Sequence, residues 1–178
     1  MTTHSRIPAP WRKPLLTVHV VTSVGAIGAG LVLVVLGISG LGDQADLRTV
    51  YPAMHRVEAW VIRPFAVLAL ATGLIQALGS NWGLVKYWWV VIKLVITTLL
   101  TIVVFLLLEP TLHAAADIAT GLSTGELDDA QRTRFVVFPA LASVLFTVNA
   151  ILGMYKPSWR LRSSQDDDAR KVSTARRF

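Results

Sequence analysis

Four long apolar stretches occupy most of this chain, at roughly 15–38, 50–78, 87–108 and 135–155. Each reaches the roughly 20 residues a helix needs to cross a hydrocarbon core about 30 Å thick. Lipid offers no water to backbone N–H and C=O groups, so each stretch is expected to be helical. The expected fold is all-α, an integral membrane four-helix bundle over residues 1–158, followed by a basic, disordered tail over 159–178. Charged groups at membrane depth are costly and normally face the bundle interior. His19, Arg56, Glu58, Arg63 and Lys93 therefore carry the functional question.

Composition agrees and narrows the chemistry. Of 178 residues, 53% are hydrophobic and 16% charged, against roughly 25% charged in soluble domains. The absence of cysteine excludes disulfides, cysteine-ligated clusters and thiol catalysis. The net charge of +6 is unevenly placed. Arg6, Arg12 and Lys13 precede the first stretch, Lys86 lies between the second and third, and Lys156, Arg160, Arg162, Arg170, Lys171, Arg176 and Arg177 follow the fourth. The other two loops carry most of the acids. Lys and Arg collect on the cytoplasmic side, so both termini are expected there, in a multi-pass protein of a bacterial plasma membrane. The basic excess is thus a topology signal, and no nucleic-acid partner is expected. Trp11, Trp82, Trp88 and Trp159 fall near the same interface and read as anchors. The first apolar run is longer than a signal-peptide core and is taken as a span.

Small residues mark packing faces, because close approach of backbones drives helix association in lipid. The first stretch offers Gly25, Ala29, Gly30 and Gly37; the second offers Ala66, Ala69, Gly73 and Ala77 on one face. Pro64 is expected to kink its helix beside Arg63. Ser123 and Glu126 have the spacing of a capping box, which would start the fourth helix near Glu126. The segment 112–120 either continues the third helix past Pro110 or forms a short surface helix.

A rise of about 1.5 Å per residue converts position into depth. His19, Lys93 and Asn149 then share an inner layer, within reach of Gln76. His55, Arg56, Glu58, Glu109 and His113 form an outer layer, with Arg63 between the two. Glu58 is expected to pair with Arg56, with Glu109 joining. Arg63 needs a partner, and Glu58, five residues earlier, is poorly placed on a regular helix. A bland reading stands beside each: Lys93 as a snorkelling anchor, His19 as a neutral histidine bonded to a neighbouring helix.

The run Trp88-Trp89-Val90-Val91-Ile92-Lys93-Leu94, with the overall pattern, resembles a family of four-helix bacterial membrane proteins common in actinobacteria, of unknown function. More remotely, His19, Met54-His55-Arg56, Pro64 with Gly73, Trp89 to Leu94, Arg134-Phe135, Pro139 and Lys156-Pro157 resemble, in order, the motifs of the membrane-embedded four-helix protoporphyrinogen oxidase family. Val91 and Val136-Val137 depart from it, standing where that family has polar residues. The resemblance implies the fold and a porphyrin-sized cleft but does not carry over the oxidase activity. The architecture also resembles copper-resistance membrane proteins, for which Met54, His55 and His113 are suitable ligands in type.

Three functional expectations follow. The first is a haem- or porphyrin-binding, redox-related protein, with His19 as axial ligand, Arg63 and Lys93 on propionates, and Asn149 in the same layer. The second is a membrane protein handling copper or a small solute. The third is a non-catalytic accessory subunit, docking a membrane partner or another copy of itself. Whether the chain is an enzyme stays open.

Overall fold

The computed structural model describes residues 7–42, 46–79 and 88–155. Trp82, Lys86, Trp159, His4 and the basic tail lie outside them. Four long helices account for nearly all of the described chain: α1 (Ala9–Ser39), α2 (Leu47–Gly79), α3 (Trp88–Thr120) and α4 (Asp129–Tyr155). No strand occurs among the described residues. All four helices are long and apolar enough to cross a membrane. They alternate in direction and close into a ring, α1 touching α2 and α4, and α3 closing the gap between them. The N-terminus of α1 and the C-terminus of α4 lie at one end, here the terminal end. The opposite end is the distal end.

α2 and α3 each run 33 residues, about 50 Å at a helical rise. That exceeds a hydrocarbon core of about 30 Å by some seven turns per pair. The densest packing lies at the distal end. Leu33, Met54 and Leu112 have no exposed surface, and Tyr51 and Ala115 have 1%. Tyr51 meets Phe135 with ring centroids 5.3 Å apart.

The packing faces are made by small residues at close approaches. A side chain at Gly25 would run into the Phe65 ring, one at Gly30 into the Ser143 hydroxyl, and one at Gly37 into the Phe135 carbonyl. Ala66 and Ala69 are 1% exposed on the facing side of α2. The outward faces carry Val21, Val24, Leu31, Val35, Leu106 and Leu141, all exposed. So extensive an apolar exterior suits hydrocarbon rather than water.

One boundary decides an alternative left open by the sequence, and another differs from the one expected. α3 continues straight through Pro110 to Thr120, where Gly121 ends it in the left-handed conformation, φ 80°. α4 starts at Asp129, and its cap is Asp128 with Gln131, not Ser123 with Glu126. Asp128 Oδ1 accepts from the Gln131 amide at 2.6 Å, and Gln131 Oε1 accepts from the Asp128 amide at 3.3 Å. The same reciprocal spacing occurs twice in the sequence. The copy that caps is the one adjoining an apolar run.

Candidate binding site

Two polar layers are separated by the span from Glu58 to Thr72 on α2, about 20 Å at a helical rise, and their bonding differs. At the distal layer both participating helices leave the α register for one turn. Glu58–Ile62 in α2 and Val104–Leu108 in α3 are π-wound. The Arg63 amide donates to the Glu58 carbonyl, and the Glu109 amide to that of Val104. Each wide turn immediately precedes a residue followed by proline: Arg63-Pro64 and Glu109-Pro110. A proline lacks an N–H, and its ring clashes with the carbonyl four residues back. A five-residue turn relieves both problems.

The turn also corrects the expected pairing of Arg63. In a regular helix, residues five apart point about 140° from one another. The π turn brings Glu58 and Arg63 onto one face. Arg63 Nη2 donates to Glu58 Oε2 at 2.7 Å and Nε to Oε1 at 3.1 Å, a two-pronged ion pair. Glu109 Oε1 stands 3.4 Å from the same Nη2, and the guanidinium lies 5.8 Å from the Phe105 ring centre. Glu58 is completely buried. Arg56, its expected partner, is exposed and makes no ion pair among the described residues. Arg63 thus has two carboxylates and no call on a ligand's.

The layer near the terminal end is built differently. His19 on α1 lies against α2, its Nδ1 3.0 Å from both the Ala69 carbonyl and Thr72 Oγ1. The Thr72 hydroxyl donates to the Leu68 carbonyl at 2.6 Å. A carbonyl only accepts, so this geometry places the imidazole proton on Nδ1 and leaves the lone pair on Nε2. Gly73 passes flat beside the ring; a Cβ there would sit 3.0 Å from Cε1. Gln76, one turn on, donates to the Leu15 carbonyl at 3.4 Å.

Across the ring of helices, Lys93 of α3 is a charged neighbour of His19. Its half-buried side chain lies over Gly153 of α4, where a Cβ would come within 2.6 Å of Nζ. Nζ makes no hydrogen bond or ion pair among the described residues. One turn along each helix, Asn149 Nδ2 donates to Thr97 Oγ1 at 2.9 Å. Asn149 is 6% exposed, and its Oδ1 is buried without a partner. An unmade bond of this kind typically costs about 1–3 kcal/mol. The layer therefore collects an imidazole lone pair, an uncompensated ammonium and an orphaned amide oxygen.

Of the four residues singled out from sequence, His19 lies against α2, while Lys93 and Asn149 lie one turn apart between α3 and α4. Arg63 belongs to the other layer. Thr72, Gly73, Thr97 and Gly153 complete the site and were not singled out for it. Threonine and glycine are too common in membrane helices to stand out without a partner. Met54, one of the suggested copper ligands, is sealed in the distal packing cluster. Among the described residues no group of three His, Asp or Glu side chains is gathered to hold a metal ion. The chain matches no family model, no curated protein and no solved structure.

Proposed function

We propose that the chain is a multi-pass protein of the plasma membrane, with its terminal end cytoplasmic, that binds a haem or porphyrin in the layer of His19, Lys93 and Asn149. The observation that carries this reading is a histidine held by Nδ1, with Nε2 open, together with a lysine that has no anion among the described residues. An imidazole braced through its other nitrogen is the usual arrangement of a metal-ligating histidine. A carboxylate such as a propionate would neutralise Lys93, whose charge is otherwise expensive at this depth. The donor set therefore fits one axial bond and one acidic substituent. Arg63, committed to Glu58 and Glu109, is left out of the site. Among the described residues His19 would be the one nitrogen ligand, consistent with Val91 in the third helix.

In this reading each residue has one task. The Ala69 carbonyl and Thr72 fix the ring plane and tautomer of His19. Gly73 lets the ring lie close to α2. Gly153 gives the Lys93 ammonium room in the bundle, where it neutralises the ligand's acid group. When bound, haem would supply one-electron redox chemistry. The apolar surroundings would limit solvent access to it.

The test is expression with added haem, purification in mild detergent, and a visible spectrum of wild type beside His19→Ala. A Soret band that collapses or shifts in His19→Ala supports the reading. A band unchanged by His19→Ala, or none under any expression condition, overturns it and leaves the accessory-subunit reading.

A further inference from the structure

At the distal rim two histidines from different helices meet outside the site described above. His55 of α2 and His113 of α3 stand edge to face, ring centroids 5.1 Å apart with an 84° angle between planes. His113 is on the accessible surface, its side chain 56% exposed. Its Nδ1 lies 3.4 Å from Asp117 Oδ2, one turn further along α3. Carboxylates also lie one turn below each ring, since His55 precedes Glu58 by three residues and His113 follows Glu109 by four.

We propose that His55 and His113 form a two-histidine site for a divalent first-row transition metal, with Asp117 as the positioning residue of His113. The first argument is distance. Metal–nitrogen bonds of about 2.0–2.1 Å, with bond angles from about 90° to 110°, separate two ligating imidazole centroids by about 4.5–5.2 Å. The observed separation falls in that interval without moving either helix. The second argument is the neighbouring carboxylate. Asp117 Oδ2, 3.4 Å from Nδ1, stands where it would orient His113 once that nitrogen carries the proton, as in carboxylate–histidine–metal triads. The third is charge. Glu58, Glu109 and Asp117 are three carboxylates against two arginines, the paired Arg63 and the exposed Arg56 beside His55, a balance that leans toward a positively charged ligand.

Edge-to-face packing alone spans centroid distances of about 4.5–7 Å. It gains little for a ring as exposed as that of His113, and it assigns no role to Asp117. The two accounts part on metal affinity. With two protein ligands, water would complete the coordination, so the site is of the open kind rather than a closed structural one.

The experiment uses the full, untagged chain in detergent with His4→Ala as background, so that the N-terminal histidine adds no site. Zinc is titrated in competition with a chromophoric chelator. The expected result is one equivalent bound. His55→Phe and His113→Phe, which keep an aromatic ring at each place, should each weaken binding by at least about 100-fold. Asp117→Asn should weaken it by about 10- to 100-fold. His55→Gln and His113→Gln repeat the comparison, with helicity and monodispersity measured for every variant. Absence of stoichiometric zinc in the His4→Ala background overturns the proposal. So does binding that survives either Phe variant in a folded protein, since a shared site needs both rings.

Discussion

The two ends of this bundle hold similar numbers of polar groups and treat them in opposite ways. At the distal end every strong charge inside the packing has a partner. Glu58 is sealed, Arg63 grips it with two nitrogens, and Glu109 flanks the pair. Around them lie the best-packed side chains of the molecule, Leu33, Met54, Leu112 and Tyr51. At the terminal end the polar groups are half satisfied. Among the described residues Lys93 has no anion, Asn149 Oδ1 has no donor, and His19 keeps one nitrogen open. A complete network makes a rigid structural element, whereas a half-made one is costly unless something else completes it. The contrast fits a structural role for the Glu58–Arg63–Glu109 network and is the ground for the binding proposed at the other layer.

Substitutions should break the two layers differently. The largest effect is expected from Arg63→Leu, which strands the fully buried Glu58 carboxylate. Losing one partner of a buried pair typically costs about 3–5 kcal/mol. Equilibrium unfolding of the detergent-solubilised protein would measure it, and a loss under about 1 kcal/mol would contradict a structural role for the pair. Leu33→Ala comes next, at about 2–5 kcal/mol for a large side chain deleted from a closed core. Asp128→Ala removes the cap of α4 and should cost about 1 kcal/mol, read by the same unfolding curve. The smallest effect on stability is expected from Lys93→Met. Removing an unpaired buried ammonium while keeping an apolar stem should leave stability unchanged or raise it. A marked loss there would mean that Lys93 has a structural partner.

Much of this contrast can be read from the sequence, and its limits have physical causes. Run length and apolarity are enough to locate four helices, because lipid admits few alternatives. The constant rise per residue puts Lys93 and Asn149 at matching levels of α3 and α4, where Asn149 bonds to Thr97 one turn from Lys93. What rise and periodicity miss is the π turn. One extra residue rotates everything beyond it, and nothing in the run Glu58–Ile62 announces that rotation except the proline two positions later. Hence Glu58 looks misplaced for Arg63 when it is the partner. Pro110 leaves two outcomes open in the sequence, and the wide turn before it is what lets α3 continue. Met54 looks accessible beside His55, but it takes the inward side of α2 while His55 takes the rim.

The central claim is that the terminal-end layer, and not the distal one, binds an acidic ligand through Lys93. Titrating the purified protein with haemin, followed at the Soret band, compares wild type, Lys93→Met and Glu109→Gln directly. The account predicts saturable binding in wild type, at least about tenfold weaker binding in Lys93→Met, as loss of one charge-assisted bond implies, and wild-type binding in Glu109→Gln. Equal affinity in wild type and Lys93→Met, or no saturable shift at all, would contradict it.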